Sequence, residues 1–304
     1  MSFTSVADTR TMLETAGYIC TREIATVVFL AARTQKPILV EGPAGVGKTE
    51  LAKAVSRSLD REMIRLQCYE GLDEAKALYE WEYAKQLLYT QMVKDKIGDV
   101  VSGAASLSDA VDRIAGQEDA FFSERFMLPR PLLKAIRSDG PVVLLVDEVD
   151  KSDPEFEAFL LEVLSDHQVT VPELGTLKAV HIPFVVLTSN SYRDMSDALK
   201  RRCLHLYIDY PDASMELAIV RRKIPALADA LANQMVDAMA RIRKLDLKKI
   251  PSISETLDWA HALVALQVET LSPRVVADTL NVICKHREDA RQVRDQAEQL
   301  ANFG

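Results

Sequence analysis

Eight consecutive residues in the first quarter of the chain have types and spacing suited to binding phosphate groups. They match the pattern G-x-x-x-x-G-K-[ST] and run as Gly42, Pro43, Ala44, Gly45, Val46, Gly47, Lys48 and Thr49, with Glu50 directly after them. The glycines let backbone N–H groups wrap phosphates, Lys48 is expected to reach the β- and γ-phosphates, and Thr49 is expected to bind Mg²⁺. A chance glycine-rich turn is the alternative, but an apolar run precedes the loop and a helical pattern follows it. The loop therefore predicts a site for ATP with Mg²⁺.

Two acidic residues follow the strongest apolar run of the chain. Asp147 and Glu148 come directly after Pro141-Val142-Val143-Leu144-Leu145-Val146. A carboxylate at the end of a buried strand is costly unless it binds a metal or accepts hydrogen bonds. Asp147 is therefore expected to hold Mg²⁺, and Glu148 to polarise an attacking water. A solvated acidic turn is the alternative, because Asp150 and Asp153 follow.

A polar residue ends the next apolar run, and an arginine pair follows it. Asn190 comes after Pro183 to Ser189, where an amide could hold the water and sense the γ-phosphate; an ordinary loop cap is the alternative. Arg201 and Arg202 precede another apolar run. They fit either an exposed basic turn or an arginine finger that reaches a neighbouring subunit's nucleotide.

One more arginine begins a helix late in the chain. Ser272-Pro273 is a favourable helix start, and Arg274 then lies in the first turn. It could touch the nucleotide, although a surface arginine is the plainer interpretation.

The elements that must position these residues alternate between strands and helices up to Pro211. The predicted strands are 37–41, 63–67, 141–147, 183–188 and 203–209, with a helix over Glu74 to Lys96 and a hairpin formed by 169–171 and 178–181. Such alternation predicts an α/β domain with a mostly parallel sheet, whose ligands bind beyond the carboxyl ends of the strands. After Pro211 only helical patterns occur, so we expect an α/β domain at 1–211 and a small all-helical domain at 212–304.

Composition limits the partners and the compartment. The 304 residues carry a net charge of −8 with a pI of about 5.3, which disfavours nucleic acid as the main partner. The four cysteines, at 20, 68, 203 and 284, are too far apart for a C-x-x-C motif and are typical of reduced thiols. No signal peptide and no membrane-spanning run is recognised, so a cytoplasmic location is expected.

The order of these motifs resembles the AAA+ ATPases, and within them the MoxR branch. The similarity rests on the phosphate-binding loop, the Asp-Glu strand end, the polar residue on the next strand, the arginine pair, the helical lid with Leu271-Ser272-Pro273-Arg274, an insert at about 84–126 and a hairpin at about 167–183. Three phrases are similar to carbon monoxide dehydrogenase accessory ATPases of the CoxD-like type: 64–73, 79–83 and 204–211.

The resemblance implies a P-loop AAA+ core with a five-stranded sheet, and a hexameric ring with ATP at its subunit interfaces. By alignment to the family's usual arginine before an apolar run, it implies that Arg202 is the finger, with Arg201 as the fallback or a second contact. In one departure from the family pattern, Arg201 stands where many MoxR relatives have an acidic residue, which leaves the choice between the two arginines open. Asn190 and Arg274 become the two sensors. Ile19 and Cys20 are implied to contact adenine.

The implied partner is a protein with a von Willebrand factor A domain. The implied client is a metalloenzyme, in the CoxD-like case a molybdenum–copper hydroxylase that receives its metal and sulfur. Three alternatives to an ATP-driven remodelling machine stay open: an ATP-binding assembly switch or chaperone with little turnover, a small-molecule phosphotransferase, and a DNA motor.

Overall fold

A five-stranded parallel sheet forms the centre of residues 2–211 in a computed structural model, which describes residues 2–92, 106, 127–171 and 175–302. The strands in chain order are β1 Ile38–Glu41, β2 Met63–Gln67, β3 Tyr79–Trp81, β4 Met127–Pro129, β5 Val143–Asp147, β6 Gln168–Val171, β7 Gly175–Lys178, β8 Phe184–Ser189 and β9 Leu204–Tyr207. The sheet order is β2-β5-β8-β1-β9, and every neighbouring pair is parallel. The predicted α/β architecture is therefore confirmed.

Helices cover both faces of this sheet. In chain order they are α1 Val6–Thr15, α2 Arg22–Thr34, α3 Lys48–Leu59, α4 Glu74–Leu78, α5 Tyr83–Met92, α6 Pro131–Ile136, α7 Pro154–Asp166 and α8 Asp197–Arg202. Side chains alternate between two hydrophobic clusters along a strand: Leu39 packs on one face, while Ile38 and Val40 pack on the other. β5 and β8 are buried along their whole length, which explains their uninterrupted apolar sequences.

Helices are the only regular secondary structure in the described chain after Tyr210. They are α9 Ala213–Lys223, α10 Asp229–Ile242, α11 Ile253–Ala265, α12 Pro273–Ile283, α13 Arg287–Asp295 and α14 Ala297–Leu300. They enclose a third hydrophobic cluster of their own around the fully buried Trp259, whose indole N–H donates to Thr279 at 2.8 Å. No described helix is both long enough and apolar enough to cross a bilayer.

Two predicted elements are wrong in their bounds. The helix predicted over Glu74 to Lys96 is interrupted by β3, because its aromatic residues pair with β4 instead of continuing the helical turn. The second hairpin strand is Gly175–Lys178, earlier than predicted, since Leu177 packs against the core opposite Val169. Most of the predicted insert at 84–126 lies outside the described residues.

Candidate functional site

The phosphate-binding loop links the end of β1 to the start of α3. Gly47 caps that helix with φ +99° and no side-chain hydrogen bond, so the first N–H groups of α3 have no capping side chain. At Gly42, with φ +147°, a Cβ would lie 2.0 Å from the carbonyl oxygen of Ile208, and at Gly45, with φ +78°, 2.1 Å from the Ser252 hydroxyl. Only glycine is accommodated at these two positions.

The Lys48 side chain is buried inside the loop. Its ammonium donates to the carbonyl oxygens of Gly42 at 2.7 Å and Pro43 at 2.6 Å. Burial lowers the pKa of Lys48, while the nearby carboxylates of Asp150, Asp147 and Glu148 oppose that shift. The ammonium group is thus held inside the loop by carbonyl oxygens, whose place a phosphate oxygen could take.

Asp147 is the point where the loop helix and three strands meet. The carboxylate is only 2% exposed. One oxygen accepts from the hydroxyls of Thr49 at 3.0 Å and Thr188 at 2.6 Å, and the other accepts from Arg65 at 2.5 Å. These partners compensate for the burial of the charge. The hydroxyl and carboxylate oxygens of Thr49 and Asp147 are the kind of ligands that Mg²⁺ prefers, so this donor set fits the ion.

Glu148 is held in one orientation by partners from three directions. Its φ of +56° lies in the left-handed region, and its N–H donates to Thr188 at 2.9 Å. The side chain accepts from the Asn190 amide at 3.2 Å, from Gln67 at 2.8 Å and from Lys151 at 2.7 Å. A positive φ in a non-glycine residue is a strained conformation that often marks a functional site.

The turn after β8 is fixed by Asp150, which is 1% exposed. Its Oδ2 accepts from the backbone N–H groups of Asn190 at 3.0 Å and Tyr192 at 2.9 Å, while its Oδ1 is buried without a hydrogen-bond partner among the described residues. Between them, Ser191 has φ +59°. Asp150 therefore holds the backbone whose Asn190 amide contacts Glu148.

A cavity of about 540 Å³ opens beside the loop and extends beneath the C-terminal helices. Apolar and aromatic side chains dominate its wall, as adenine pockets require; they include Tyr18, Ile19, Val46, Ile208, Tyr210, Ile219 and Leu257. Glu50 also lines it and pairs with Lys223 at 3.3 Å. Cys20, predicted to contact the base, is not in the wall; it is buried in the core, where burial raises its pKa to about 11.

The predicted arginines do not reach this cavity. Arg201 and Arg202 end α8 on the surface, where Arg202 donates to the Ser165 hydroxyl and to the Ala198 carbonyl oxygen. The side chain of Arg274 is 90% exposed and lies 3.6 Å from Asp278 of its own helix. None of the three lines the cavity.

The start of α11, instead of the start of α12, contacts the loop from the C-terminal helices. The Ser254 hydroxyl donates to the Gly45 carbonyl oxygen at 3.2 Å. Ser252 caps α11 in a capping box with Glu255, which fixes the helix end beside the loop. The sequence pattern Ser-x-x-Glu could have identified this cap but not its contact with Gly45.

Several residues of the site were absent from the sequence prediction. Arg65 and Gln67 lie on β2, which the sheet order places beside β5, with Gln67 in register with Asp147. Alternation along β2 puts both side chains on one face. That pattern would have singled them out only if the neighbour of β2 had been known.

Comparison with known proteins yields one family and a related fold. A family model described as an AAA ATPase domain matches residues 21–177, just over half of the chain. An uncharacterised protein of Staphylococcus haemolyticus is 23% identical over 256 residues, 81% of this chain and 84% of that protein. An uncharacterised protein of Staphylococcus aureus is 25% identical over the same length. A solved RuvB mutant of Thermotoga maritima shares the fold, with a TM-score of 0.50, 16% identity, and coverage of 93% of this chain and 73% of that one.

Proposed function

Because this chain belongs to the AAA ATPase domain family, we propose that it uses ATP hydrolysis in a ring to remodel or activate a client protein. The observation that carries the proposal is the meeting of Lys48, Thr49, Asp147, Glu148 and Asn190 at the carboxyl ends of neighbouring parallel strands. This arrangement provides phosphate binding and water activation in one place.

In the proposed reaction, the loop N–H groups and Lys48 bind the β- and γ-phosphates, and Thr49 and Asp147 are the residues that would hold Mg²⁺. The ion would neutralise charge on the phosphate oxygens. Glu148 accepts a proton from a water whose oxygen forms the new bond to the γ-phosphorus, and Asn190 orients that water. The bond from the γ-phosphorus to the bridging oxygen breaks, and ADP and phosphate leave.

The same proposal assigns the arginines to a neighbouring copy. Arg202, or Arg201 in its place, is exposed at the end of α8 and does not line its own chain's cavity. An exposed cation so placed is suited to stabilise transition-state charge in the next subunit of a homo-oligomer, which we propose to be a hexameric ring. Arg274 is proposed as a second sensor that reaches the nucleotide only when the helices at 212–304 move as a lid.

We further propose the MoxR branch, closest to the CoxD-like accessory ATPases. The motifs at 64–73, 79–83 and 204–211 and the β6–β7 hairpin support this assignment. The corresponding partner is a von Willebrand factor A domain protein in the cytoplasm. The client is a molybdenum-containing hydroxylase that receives metal and sulfur. A chaperone role for another metalloenzyme is the alternative nearest to this proposal.

An assembly switch with little turnover is the second candidate. It is favoured by the contacts of Gln67 and Lys151 with Glu148, because a carboxylate occupied by two donors is less available to a water. Partner binding would then have to release Glu148 before hydrolysis.

The decisive experiment compares wild-type protein with Lys48→Ala and Glu148→Gln. Nucleotide binding is measured by titration of a fluorescent ATP analogue, turnover by phosphate release, and assembly by light scattering. We expect Lys48→Ala to abolish tight binding, and Glu148→Gln to retain ATP in the assembled ring without turnover. Wild-type protein that shows no turnover even with the von Willebrand factor A partner would establish the switch.

The client assignment needs its own test. Activation of an apo-hydroxylase is measured with the ATPase, the von Willebrand factor A protein and ATP, and again with Glu148→Gln. Activation that is equal in the two mixtures would refute an ATP-driven role. Salt-sensitive binding of duplex DNA at physiological ionic strength would instead favour a DNA motor.

A further inference from the structure

An exposed strip of positive charge lies on the C-terminal helices, apart from the nucleotide cavity. Residues 212–304 contain thirteen basic and thirteen acidic residues, so the whole net charge of −8 belongs to residues 1–211. Within this neutral part, five exposed cationic or titratable side chains occupy ten consecutive positions. We call them the basic stripe: Lys285, His286, Arg287, Arg291 and Arg294.

The helical period of α13 brings its three arginines to one face. Arg287, Arg291 and Arg294 are spaced i, i+4, i+7 and share one face. Two of its three acids are engaged elsewhere: Glu288 pairs with Lys248 at 2.6 Å, and the buried Asp289 accepts from the backbone N–H groups of Lys248 at 3.0 Å and Lys249 at 3.2 Å. The third acid, Asp295, follows Arg291 by four residues and so lies on the arginine face.

Although Asp295 shares the arginine face, this face keeps an excess of two positive charges (three arginines against one aspartate) and has no ion pair among the described residues. In the described part of the chain, none of the three arginines lies within 4 Å of a carboxylate oxygen, and each is exposed. Three guanidinium groups on one face repel each other, and a bound anion would lower this electrostatic repulsion. Their arrangement is therefore suited to an external anionic partner.

The stripe borders a concavity large enough to receive a peptide. An open groove of about 520 Å³ lies between the end of α12 and α13, and its wall includes all five stripe residues together with Asn281, Cys284 and Ala290. As far as the structure describes the chain, Asp295 is the single acidic side chain in that wall. Cys284 and Ala290 give the groove a small uncharged floor, so a polypeptide backbone can approach closely.

We propose that the basic stripe binds an acidic segment of a partner protein. Seven residues of helix span about 10 Å, the length of a few successive carboxylate side chains. Arginine suits this role because its planar guanidinium forms two parallel hydrogen bonds with a carboxylate.

Nucleic acid fits the stripe less well. Among the described residues, the groove wall contains no Phe, Tyr or Trp, and His286 is its one aromatic ring, so unpaired bases would find little stacking surface. A duplex is much longer than the stripe and would extend towards the acidic remainder of the chain, which repels phosphates. The inference does not rest on the proposed ATP-driven function, because no stripe residue lines the nucleotide cavity.

The test uses a fluorescein-labelled peptide of ten glutamates, whose binding to the full chain is followed by fluorescence anisotropy at 50 and 200 mM salt. The stripe variant is Arg291→Gln with Arg294→Gln. The control, Arg221→Gln with Lys244→Gln, removes the same charge from exposed positions of the same helical part. We expect at least tenfold weaker binding by the stripe variant, less than twofold by the control, and weaker binding at the higher salt.

The outcomes separate cleanly. No binding to wild-type protein, or an equal loss in both variants, would overturn the proposal. A 30-base-pair duplex that binds more tightly than the peptide, and loses affinity in the stripe variant, would replace the acidic segment with nucleic acid. Basal ATPase activity should be unchanged in both variants, and this confirms that each is folded.

Discussion

Replacing Asp150 with Asn should slow catalysis without weakening nucleotide binding. Asp150 accepts two backbone hydrogen bonds, from Asn190 and Tyr192, and so sets the position of the amide that contacts Glu148. The isosteric amide keeps one oxygen acceptor but removes the charge. A hydrogen bond to a charged group contributes about 1.5–3 kcal/mol, compared with about 0.5–1.5 for a neutral one, so the two bonds together weaken by about 2 kcal/mol.

The weaker hydrogen bonds leave the turn after β8, and with it the Asn190 amide, less firmly positioned for catalysis. Each 1.4 kcal/mol corresponds to about a factor of ten in rate. We expect kcat for Asp150→Asn to fall by roughly 10- to 30-fold. Affinity for ADP should not weaken by more than about threefold, because Asp150 makes no hydrogen bond to the phosphate-binding loop and acts on Lys48 only through its charge. Asp150→Ala should be more severe, since the N–H groups of Asn190 and Tyr192 have no other acceptor among the described residues, and each loss costs about 1–3 kcal/mol.

The assay combines steady-state phosphate release with titration of a fluorescent ADP analogue and thermal unfolding. Asp153→Asn is the matched control, because this exposed acid lies three residues further on and its side chain makes no capping hydrogen bond. A folded Asp150→Asn protein with wild-type kcat would refute the reasoning. A lower melting temperature with unchanged kcat would show that Asp150 only stabilises the fold.

Three further predictions concern Glu148, the exposed arginines and a buried thiol. Gln67→Ala should raise basal ATP turnover about two- to fivefold, because Glu148 loses one of the donors that occupy it. Arg202→Ala should bind nucleotide normally. In rings mixed with wild-type subunits, it should lower ATPase activity by more than its fraction of the subunits, and Arg201→Ala is tested in parallel. Burial raises the pKa of Cys68 to about 12, so alkylation at pH 8 should be at least a hundredfold slower in folded protein than in urea. By linkage, this thiol's contribution to stability is complete below about pH 8.5 and is lost as the pH rises towards 12.

Each of these has a contrary result. Loss of turnover in Gln67→Ala, with wild-type turnover in the exposed control Gln35→Ala, would mean that Gln67 assists the reaction. Strictly proportional activity of mixed rings would exclude a role in trans for the substituted arginine. Rapid alkylation of folded protein would show that the Cys68 environment opens readily.

The sequence was sufficient for the parts of the site that follow from local pattern and parallel-sheet geometry. The loop at Gly42 to Thr49 is contiguous, and the acids after β5 and the amide after β8 had to meet because neighbouring parallel strands end at one edge. Their proximity, which the sequence predicted, is observed as the contact between Asn190 and Glu148. Their catalytic roles remain predictions.

Contacts that depend on strand order or tertiary packing could not be predicted. Nothing in the order of the chain places β2 beside β5, so the contacts of Arg65 and Gln67 were missed. Among the described helices after Tyr210, two begin with a serine cap, at Ser252 and Ser272, and a cap pattern alone does not say which helix start lies at the loop. Only packing decides that the first of them faces the loop.

The absence of a side chain at Gly42 has a mechanical consequence. Its backbone lies directly against Ile208, whose N–H donates to Glu41 at 2.8 Å, and no layer of side chains separates the two segments. If the loop backbone at Gly42 shifts, the backbone of Ile208 must shift with it. Ile208 lies only a few residues before α9 begins. A small movement of the loop at the phosphates is therefore passed through Gly42 to the segment that leads into α9. Because the C-terminal helices extend away from this point, a short displacement there moves their far ends by a larger distance.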